Sequence, residues 1–357
     1  MKKLLLLTFA VVFCMVLFAD VKIVENQLNP KVSKQKLVLE NSFELSEDME
    51  SIQNFIIIND RIYFVNSQAK FVAILDFNGK IIKVLDQTGK GPGEFSMPTN
   101  IFNDEKESRI GVVDQMNQRT SYFDYEGNYL IDVLFEQMQV PMDIQYIGDK
   151  KIYFYMGIEF NQEKGSILTK PTLELIDGDS AKVLYSESFN PLKMNIGESK
   201  IPIYAQSEKN IFITNNSIDK YKIQVFGDDG LRKMDINKKV KRFKRSQEDI
   251  EEIENILEAA NKQARAAGSE IDMDYSGYEF ENAIGSLLIG PKGNLWVQTV
   301  DKKGNLFDII GKKGKIIGQC RKKDEKFGVC KFYKNRLYDI SGNEDDGFVL
   351  NVYSLEK

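Results

Sequence analysis

The chain has 357 residues, a net charge of −5 and 28% charged residues, as is ordinary for a soluble globular protein. This acidic balance gives no overall attraction to nucleic acid or anionic membranes, so nucleic acid is not an expected partner. The chain contains no histidine, which excludes Ser-His-Asp and Cys-His catalysis and histidine-ligated zinc.

The first 19 residues are typical of an export signal. Two lysines, an apolar run over residues 4–18 and the small Ala19 follow one another. The apolar run is shorter than the roughly 20 residues that a bilayer span needs. We therefore expect a signal peptide over residues 1–19 and no stable membrane span after its removal, with an uncleaved anchor as the alternative. Lipoprotein anchoring through Cys14 is disfavoured, because the bulky Phe13 precedes it and Cys14 lies inside the apolar run.

Two cysteines remain after such a cleavage, Cys320 and Cys330. An even pair in an exported chain can form a disulfide. Two reduced, partly buried thiols are the alternative, and the sequence leaves both open.

Residues 20–35 are polar and patternless apart from a turn signal at Asn29-Pro30. We interpret them as a linker. The next segment, Lys36 to Leu45, reads K-L-V-L-E-N-S-F-E-L. It is strand-like but has no neighbouring strand with which to pair.

From Ile52 onward, one pattern recurs: four short strand-like segments separated by polar or glycine turns. The spacing from Ile62 to Gly79 equals that from Ile110 to Gly127. Six copies occur, and their second segments are Arg61–Asn66, Arg109–Asp114, Lys151–Tyr155, Asn210–Asn215, Gly293–Thr299 and Asn335–Ile340.

Six such units at a period of roughly 40–60 residues predict an all-β chain folded as a six-bladed β-propeller over residues 36–357. Ring closure buries the flat faces of each blade on its neighbours, whereas a stack would leave end faces exposed. The sixth unit lacks one strand at its C-terminal end. We expect Lys36–Leu45 to supply that strand and so to lock the ring.

A long insertion, residues 238–282, separates units four and five. After a basic run, Lys238 to Arg245, the sequence predicts a helix over residues 246–268. Ser246 can cap this helix and Gly268 can end it. Its apolar stripe comprises Ile250, Ile253, Leu257, Ala260 and Ala264. The helix is either a lid or partner-binding element over one mouth of the ring, or a surface helix packed on the propeller with its charges solvated or paired.

The stretch Gly89 to Asn100 reads G-K-G-P-G-E-F-S-M-P-T-N. Its glycines could suggest a phosphate site, but a P-loop needs G-x-x-x-x-G-K-[ST] and a dinucleotide fingerprint opens a helix. Pro92 and Pro98 oppose a helix, and strands flank the stretch. We therefore expect a tight crossover between units one and two, with Phe95 between the blades.

This stretch, followed by I-F-N-D, resembles the NHL-like or TolB-like six-bladed propellers of exported bacterial proteins. The resemblance covers about residues 36–357 and is most specific at G-P-G-E-F. It implies the propeller fold and informs function much less.

One segment resembles the opening of a calcium-binding loop, D-M-D-Y-S-G over Asp272–Gly277. Position twelve of that loop is Ala283 where a glutamate is needed, and no second helix follows. An acidic turn is the expected structure. We assign no catalytic, cofactor-binding or metal-ligating residue from the sequence.

Asn66, Asp114 and Asn215 occupy equivalent places at the ends of second segments. They could line a shared rim, although such residues more often accept hydrogen bonds within local turns. Trp296 lies in a strand and is expected in a blade core rather than as a ligand platform.

The sequence therefore favours an exported binding or scaffold module, periplasmic or extracellular and monomeric, for a protein, peptide or glycan partner. The alternative is a metal-dependent lactonase-like enzyme or other hydrolase, with Asp, Asn and Glu oxygens holding a metal in the central channel. This alternative rests on analogy between folds.

Overall fold

Strands of four to twelve residues make up most of the described part of this chain. The computed structural model describes residues 21–45, 54–135, 140–161, 166–191, 197–266, 277–321, 328–343 and 347–356. The signal-like residues 1–19, the predicted helix end at Gly268 and residues 272–276 of the calcium-like motif lie outside these ranges.

Two N-terminal strands precede the blades, and three blades of four strands follow. The bounds are β1 (Lys22–Asn26), β2 (Ser33–Glu44), β3 (Asn54–Ile58), β4 (Arg61–Asn66), β5 (Phe71–Leu75), β6 (Ile81–Leu85), β7 (Pro98–Asp104), β8 (Arg109–Asp114), β9 (Arg119–Phe123), β10 (Tyr129–Leu134), β11 (Asp143–Ile147), β12 (Lys150–Asn161), β13 (Ser166–Asp177) and β14 (Ser180–Ser186). Blade 1 is β3–β6, blade 2 is β7–β10 and blade 3 is β11–β14.

Three further blades and one helix complete the chain. The bounds are β15 (Glu198–Gln206), β16 (Asn210–Ser217), β17 (Tyr221–Gly227), β18 (Arg232–Lys238), α1 (Gln247–Ala266), β19 (Ser286–Ile289), β20 (Leu295–Asp301), β21 (Gly304–Ile310), β22 (Ile316–Arg321), β23 (Val329–Tyr333), β24 (Arg336–Asn343) and β25 (Gly347–Glu356). Blade 4 is β15–β18, blade 5 is β19–β22, and blade 6 contains β23–β25.

The blades close into a ring. The first strand of each blade contacts the first strand of the next, in the order β3, β7, β11, β15, β19, β23 and back to β3. Within every blade the strands pair antiparallel in sequence order. The predicted six-bladed propeller is therefore confirmed.

The strand β2 supplies the missing fourth strand of blade 6. Its residues from Lys36 to Glu44 pair antiparallel with β25, from Glu356 back to Val349. The amide of Leu45 extends this ladder by donating to the carbonyl of Phe348 at 2.8 Å. The two ends of the described chain thus meet in one blade, as the sequence indicated.

The expected linker over residues 20–35 is wrong as a description of this segment. The strand β1 adds to blade 4 in parallel with β18, and Ser33–Lys36 pair in parallel with β22 of blade 5. Only Val24 of β1 is buried, so the five residues of this strand show no apolar alternation that would predict it. The side-chain amide of Asn26 instead donates to the Gly314 carbonyl at 3.1 Å and accepts from the Ile316 amide at 3.1 Å.

The repeated turns have a common local cause. In blade 1 the Asp76 carboxylate accepts the amide of Lys80 at 3.0 Å, and Gly79 takes a φ of 76°. In blade 2 Asp124 and Gly127, with a φ of 75°, form the same turn. An Asp that accepts amides of the turn and a glycine that tolerates positive φ are what this tight turn requires.

The apolar core lies between blades. Between blades 1 and 2 it contains Tyr63, Val72, Ile110, Val112 and Phe95, all fully buried. Similar apolar clusters lie between the other pairs of neighbouring blades. Burial of both faces explains why the inner strands read as continuous apolar runs.

The predicted helix is present as α1, and the Ser246 hydroxyl caps it by accepting the Asp249 amide at 3.1 Å. Ile250, Ile253 and Leu257 of the predicted stripe are half-buried, whereas Ile256 is exposed. The side chains of the stripe's two alanines lie outside the described part of the chain.

The basic run before α1 pairs with one carboxylate of blade 4 and with one at the end of the insertion. Arg242 binds Asp219 at 2.5 Å and Arg245 binds Glu281 at 2.8 Å. Because the strands alternate in direction, β18 ends on the face opposite the turns between first and second strands, and the chain enters the insertion from that face. Within the described residues, no helix is long and apolar enough to span a bilayer.

Candidate functional site

The first strands of all six blades surround a central channel with a cavity of about 630 Å³. Each blade contributes to its wall, and one lining residue from each blade in turn is Asn54, Asn103, Asp143, Gln206, Ile289 and Lys331. The cavity opens between the turns that join first and second strands. Lys106 and Asp149 form an exposed ion pair at 3.4 Å at this mouth.

Asp143 stands at the start of β11 with only one of its carboxylate oxygens in use. Its Oδ2 accepts from the Tyr204 hydroxyl and, at 2.6 Å, from the Gln145 amide. Its Oδ1 is buried without a hydrogen-bond partner among the described residues. Burial, followed by the Asp143 charge, raises the pKa of Tyr204 well above its ordinary value, so Tyr204 stays a neutral donor. The carboxylate is held through Oδ2, and Oδ1 keeps acceptor capacity that the described residues do not use.

Lys331 lies in the middle of β23 and lines the same cavity. Burial lowers the pKa of its ammonium group, and the negative charge of Asp143 opposes that shift. Across the described ranges, the ammonium makes neither a hydrogen bond nor an ion pair. Charges withdrawn from water are costly when unpaired. The channel thus holds two opposite charges that each have capacity for a partner.

Amide side chains complete the polar wall. Asn54, Asn103, Gln145 and Gln206 border the cavity and can both donate and accept hydrogen bonds. No three His, Cys, Asp or Glu side chains of the described ranges come close enough together to hold a metal ion. The convergence of carboxylates that the hydrolase alternative expects is therefore not found in that part of the chain.

The glycine-rich stretch is filled by its own side chains. The Glu94 carboxylate accepts the Gly91 amide at 2.7 Å, and a Cβ at Gly89 would meet the same carboxylate at 2.1 Å. Arg119 donates to the carbonyls of Gly91 and Glu94 at 2.6 and 2.7 Å. Phe95 is fully buried between blades 1 and 2. The glycines make room for Glu94 rather than for a phosphate.

The three Asx residues at equivalent positions do not form a shared rim. Asp114 accepts the amides of Ser96 and Met97 at 2.8 and 3.0 Å, and Asn66 accepts the Ala69 amide at 2.9 Å. Asn66 thus serves a local turn, whereas Asp114 holds the crossover as well as its own turn, where it accepts the Asn117 amide at 3.2 Å. Asn215 instead donates to the Tyr185 hydroxyl at 2.7 Å.

Trp296 is buried in blade 5. Its ring centroid lies 5.7 Å from that of Phe307 and 4.7 Å from that of Phe332. This is the core position that the sequence favours. One edge of the indole also borders a second cavity, described below.

Cys320 and Cys330 are both buried thiols, without a disulfide between them. The Cys330 thiol lies 3.4 Å from a carboxylate oxygen of Asp339. Burial raises the pKa of Cys320 to about 12. Of the two alternatives that the sequence left open, the structure has the reduced pair.

Sequence reasoning missed Asp143 and Lys331. The two residues belong to blades 3 and 6, and only closure of the ring brings them into one cavity. The available signal was weak: Lys331 is the one charged residue in V-C-K-F-Y, a strand otherwise of apolar and aromatic residues.

The ring and its sequence-ordered four-stranded blades define the class of protein, a six-bladed β-propeller. Residues 43–254, which are 212 of the 357, match the family model DUF5128, described as a 6-bladed beta-propeller. The chain belongs to this family.

Solved structures show the same architecture at low sequence identity. A Bacteroides fragilis protein described as exported has 11% identity and a TM-score of 0.53, with 94% of this chain and 100% of that chain covered. A DUF4221-family member from Bacteroides vulgatus has 13% identity, a TM-score of 0.53 and coverages of 92% and 100%. The WD40 repeats of RRP9 have 9% identity, a TM-score of 0.52 and coverages of 90% and 100%. At these identities the likeness concerns the fold alone. No curated protein matches the sequence.

Proposed function

We propose that this chain is an exported binding module that receives a short peptide, or the end of a longer one, in the central channel. One observation carries the proposal: Asp143, one of whose carboxylate oxygens lacks a partner among the described residues, and Lys331, a cation whose pKa is lowered by burial, line one cavity. Polar groups in a protein interior are normally hydrogen-bonded. Polar groups that border a cavity and lack a partner within the protein favour a ligand that completes them.

The chemistry of these groups favours a peptide over the other partner classes. The carboxylate of Asp143 can accept from a peptide α-ammonium group, and Lys331 can donate to a peptide carboxylate. The amide side chains of the wall match the donors and acceptors of a peptide backbone. A neutral glycan would satisfy Asp143 but would leave Lys331 without an anion. A folded protein could enter only through an exposed chain end.

The size of the channel agrees with this ligand. Its volume of about 630 Å³ lies within the roughly 300–1,000 Å³ that is common for ligand pockets. Because the wall comes from six separate strands of a closed ring, its side chains are held on a rigid scaffold.

A thermal-shift experiment tests the proposal. Binding to the folded state alone raises the melting temperature. We expect trialanine to raise it by roughly 2–4 °C at a hundredfold excess over Kd. Acetyl-trialanine amide, which lacks both terminal charges, and maltotriose should give a much smaller shift.

Two variants and two matched controls locate the effect. Asp143→Asn and Lys331→Met should each remove most of the trialanine shift. Asp149→Asn and Lys106→Met change the same residue types at the exposed mouth and should preserve it. An absence of any peptide-induced shift at millimolar concentration, or an equal shift in Asp143→Asn, would contradict the proposal.

We also infer export to the periplasm or beyond, with residues 1–19 as the signal and the remaining chain as a monomer. The basic and apolar N-terminus supports export, as does the similar fold of a protein described as exported. The finer kinship with NHL-like or TolB-like propellers stays a prediction, because the matched family carries neither description. N-terminal sequencing of the protein from an envelope fraction should begin at residue 20. A full-length chain confined to the cytoplasmic fraction would overturn export.

A further inference from the structure

We propose that a neutral saccharide binds in a cleft between blades 5 and 6, which we call the blade 5–6 cleft. Its volume is about 1,150 Å³, and its wall shares no residue with that of the central channel. Blade 5 contributes Ile309 and Ile317, and blade 6 contributes Tyr338 and Leu355. The strand β2 is the outer strand of blade 6 and also pairs with β22, the outer strand of blade 5, so it bridges the cleft along the rim of the ring.

The charges around the cleft are balanced. Its wall carries three acidic side chains, Glu40, Asp60 and Glu356, and three basic ones, Lys292, Lys334 and Arg336. Two pairs are already joined. Lys334 lies 2.7 Å from Asp60, and Arg336 lies 2.6 Å from Glu40.

This balance disfavours charged ligands. An anion or a cation would have to compete with a partner already in place, and would gain little net attraction. A purely apolar ligand would bury the paired charges, which costs free energy. A ligand with many neutral hydroxyl groups can instead add hydrogen bonds to the open sites of the same carboxylates and to the remaining N–H groups.

Aromatic rings form part of the wall. Phe77 from blade 1 packs edge-on against Tyr333 at a centroid distance of 5.8 Å, and lies 5.1 Å from Tyr338. Phe77 and Tyr333 are only half-buried and both line the cleft, with the Lys334 ammonium over one face of the Tyr333 ring at 5.0 Å from its centroid. Apolar ring surface beside hydrogen-bonding groups suits a pyranose, which has C–H faces and a rim of hydroxyls.

Uncharged polar groups complete the lining. Gln35, Asn294, Asn335 and Ser354 border the cleft. Trp296, which also borders it, has an indole N–H that is buried and lacks a partner within the described residues. The amides and hydroxyls of the other four side chains can follow the hydroxyl pattern of several sugar residues.

The test is calorimetric titration of the full chain with three neutral oligosaccharides, maltohexaose, cellohexaose and xylohexaose, and with one anionic oligomer, hexagalacturonate. At least one neutral oligomer should bind, and hexagalacturonate should bind at least about tenfold more weakly. Tyr333→Ala should weaken binding by about fivefold or more, because it removes ring surface. Tyr333→Phe keeps that surface and should stay within about twofold of the wild type.

Matched variants separate the cleft from the channel. Tyr146→Ala removes a half-buried tyrosine from the channel wall and should leave saccharide binding unchanged. Asn335→Leu changes an exposed turn residue of the cleft, so it tests the site even if Tyr333→Ala fails to fold. It should weaken binding severalfold.

Three results would overturn the proposal: no binding by any neutral oligomer, equal binding of hexagalacturonate, or loss of binding in Tyr146→Ala with retention in Asn335→Leu. None of these results bears on peptide binding in the channel, which depends on Asp143 and Lys331.

Discussion

At the scale of single residues, burial of the charged Lys331 side chain lowers the stability of the folded state. Burial lowers the pKa of its ammonium group below the ordinary 10.5. The unfolded chain therefore binds this proton more tightly than the folded chain. The loss of folding stability is fully present at pH values below the pKa of the folded state. Stability is regained as pH rises from that pKa toward 10.5.

Replacement of this lysine should thus stabilise the protein in a pH-dependent way. We expect Lys331→Met to raise the free energy of unfolding at pH 7, and the gain to shrink as pH approaches 10. Urea unfolding at a series of pH values measures it, with the exposed Lys106→Met as the control. A gain that stays constant over this pH range would show that the charge is not its cause.

Cys320 offers a second residue-scale prediction. Its side chain is 1% exposed, and burial raises the pKa of its thiol to about 12. Since the thiolate is the reactive form, iodoacetamide at pH 8 should modify Cys320 at least about a hundredfold more slowly in the folded chain than in urea. Peptide mass mapping over time reports the rate. Modification at similar rates in both states would contradict the buried position.

At the scale of elements, the crossover at Gly89–Asn100 depends on a residue from another strand. Arg119 of β9 donates to the carbonyls of Lys90, Gly91 and Glu94, and it pairs with Asp132 of β10 at 2.8 Å. Arg119 therefore ties the crossover to blade 2, while Phe95 ties it to the interface with blade 1.

Removal of this guanidinium should be costly. Arg119→Met leaves three carbonyls and a largely buried carboxylate without their donor. We expect a loss of roughly 3–5 kcal/mol in the free energy of unfolding. The control is Arg61→Met, because Arg61 is more exposed and bonds one carbonyl; it should cost about 1 kcal/mol or less. Equal losses in urea unfolding would mean that Arg119 does not organise the crossover.

Elements that carry a repeated pattern could be predicted from the sequence, and elements without one could not. The strand segments, the Asp–Gly turns and the Ser246 cap all have local signals that fix local structure. β1 has a single buried residue and depends on pairing with β18, more than two hundred residues away in sequence. The charges of Asp143 and Lys331 meet only through closure of the ring, so neither neighbourhood in the sequence reveals the site.

At the scale of the whole molecule, β2 closes the ring by joining blade 6 to the N-terminal segment and to blade 5. Leu37 of β2 is buried, as is Leu45 just after it. Deletion of residues 21–44 would leave β25 without its neighbouring strand and would expose the apolar surface that Leu37 covers. We expect a loss of more than about 4 kcal/mol in stability, an unusually large effect.

A shorter deletion provides the control. Removal of residues 21–32 takes away β1 and leaves β2 in place, so it should lower the melting temperature by only a few degrees. Calorimetry of both truncated chains makes the comparison. If the chain without residues 21–44 melted like the full chain, the closure by β2 would be refuted.

The central claim is that opposite ends of a peptide meet Asp143 and Lys331 in the channel. The most direct measurement is a calorimetric cycle with trialanine, acetyl-trialanine and trialanine amide on the wild type, Asp143→Asn and Lys331→Met. Acetylation should weaken binding to the wild type but not to Asp143→Asn, and amidation should weaken binding to the wild type but not to Lys331→Met. If each modification weakened binding equally in all three proteins, neither charge would contact a peptide end, and the account of the channel would be contradicted.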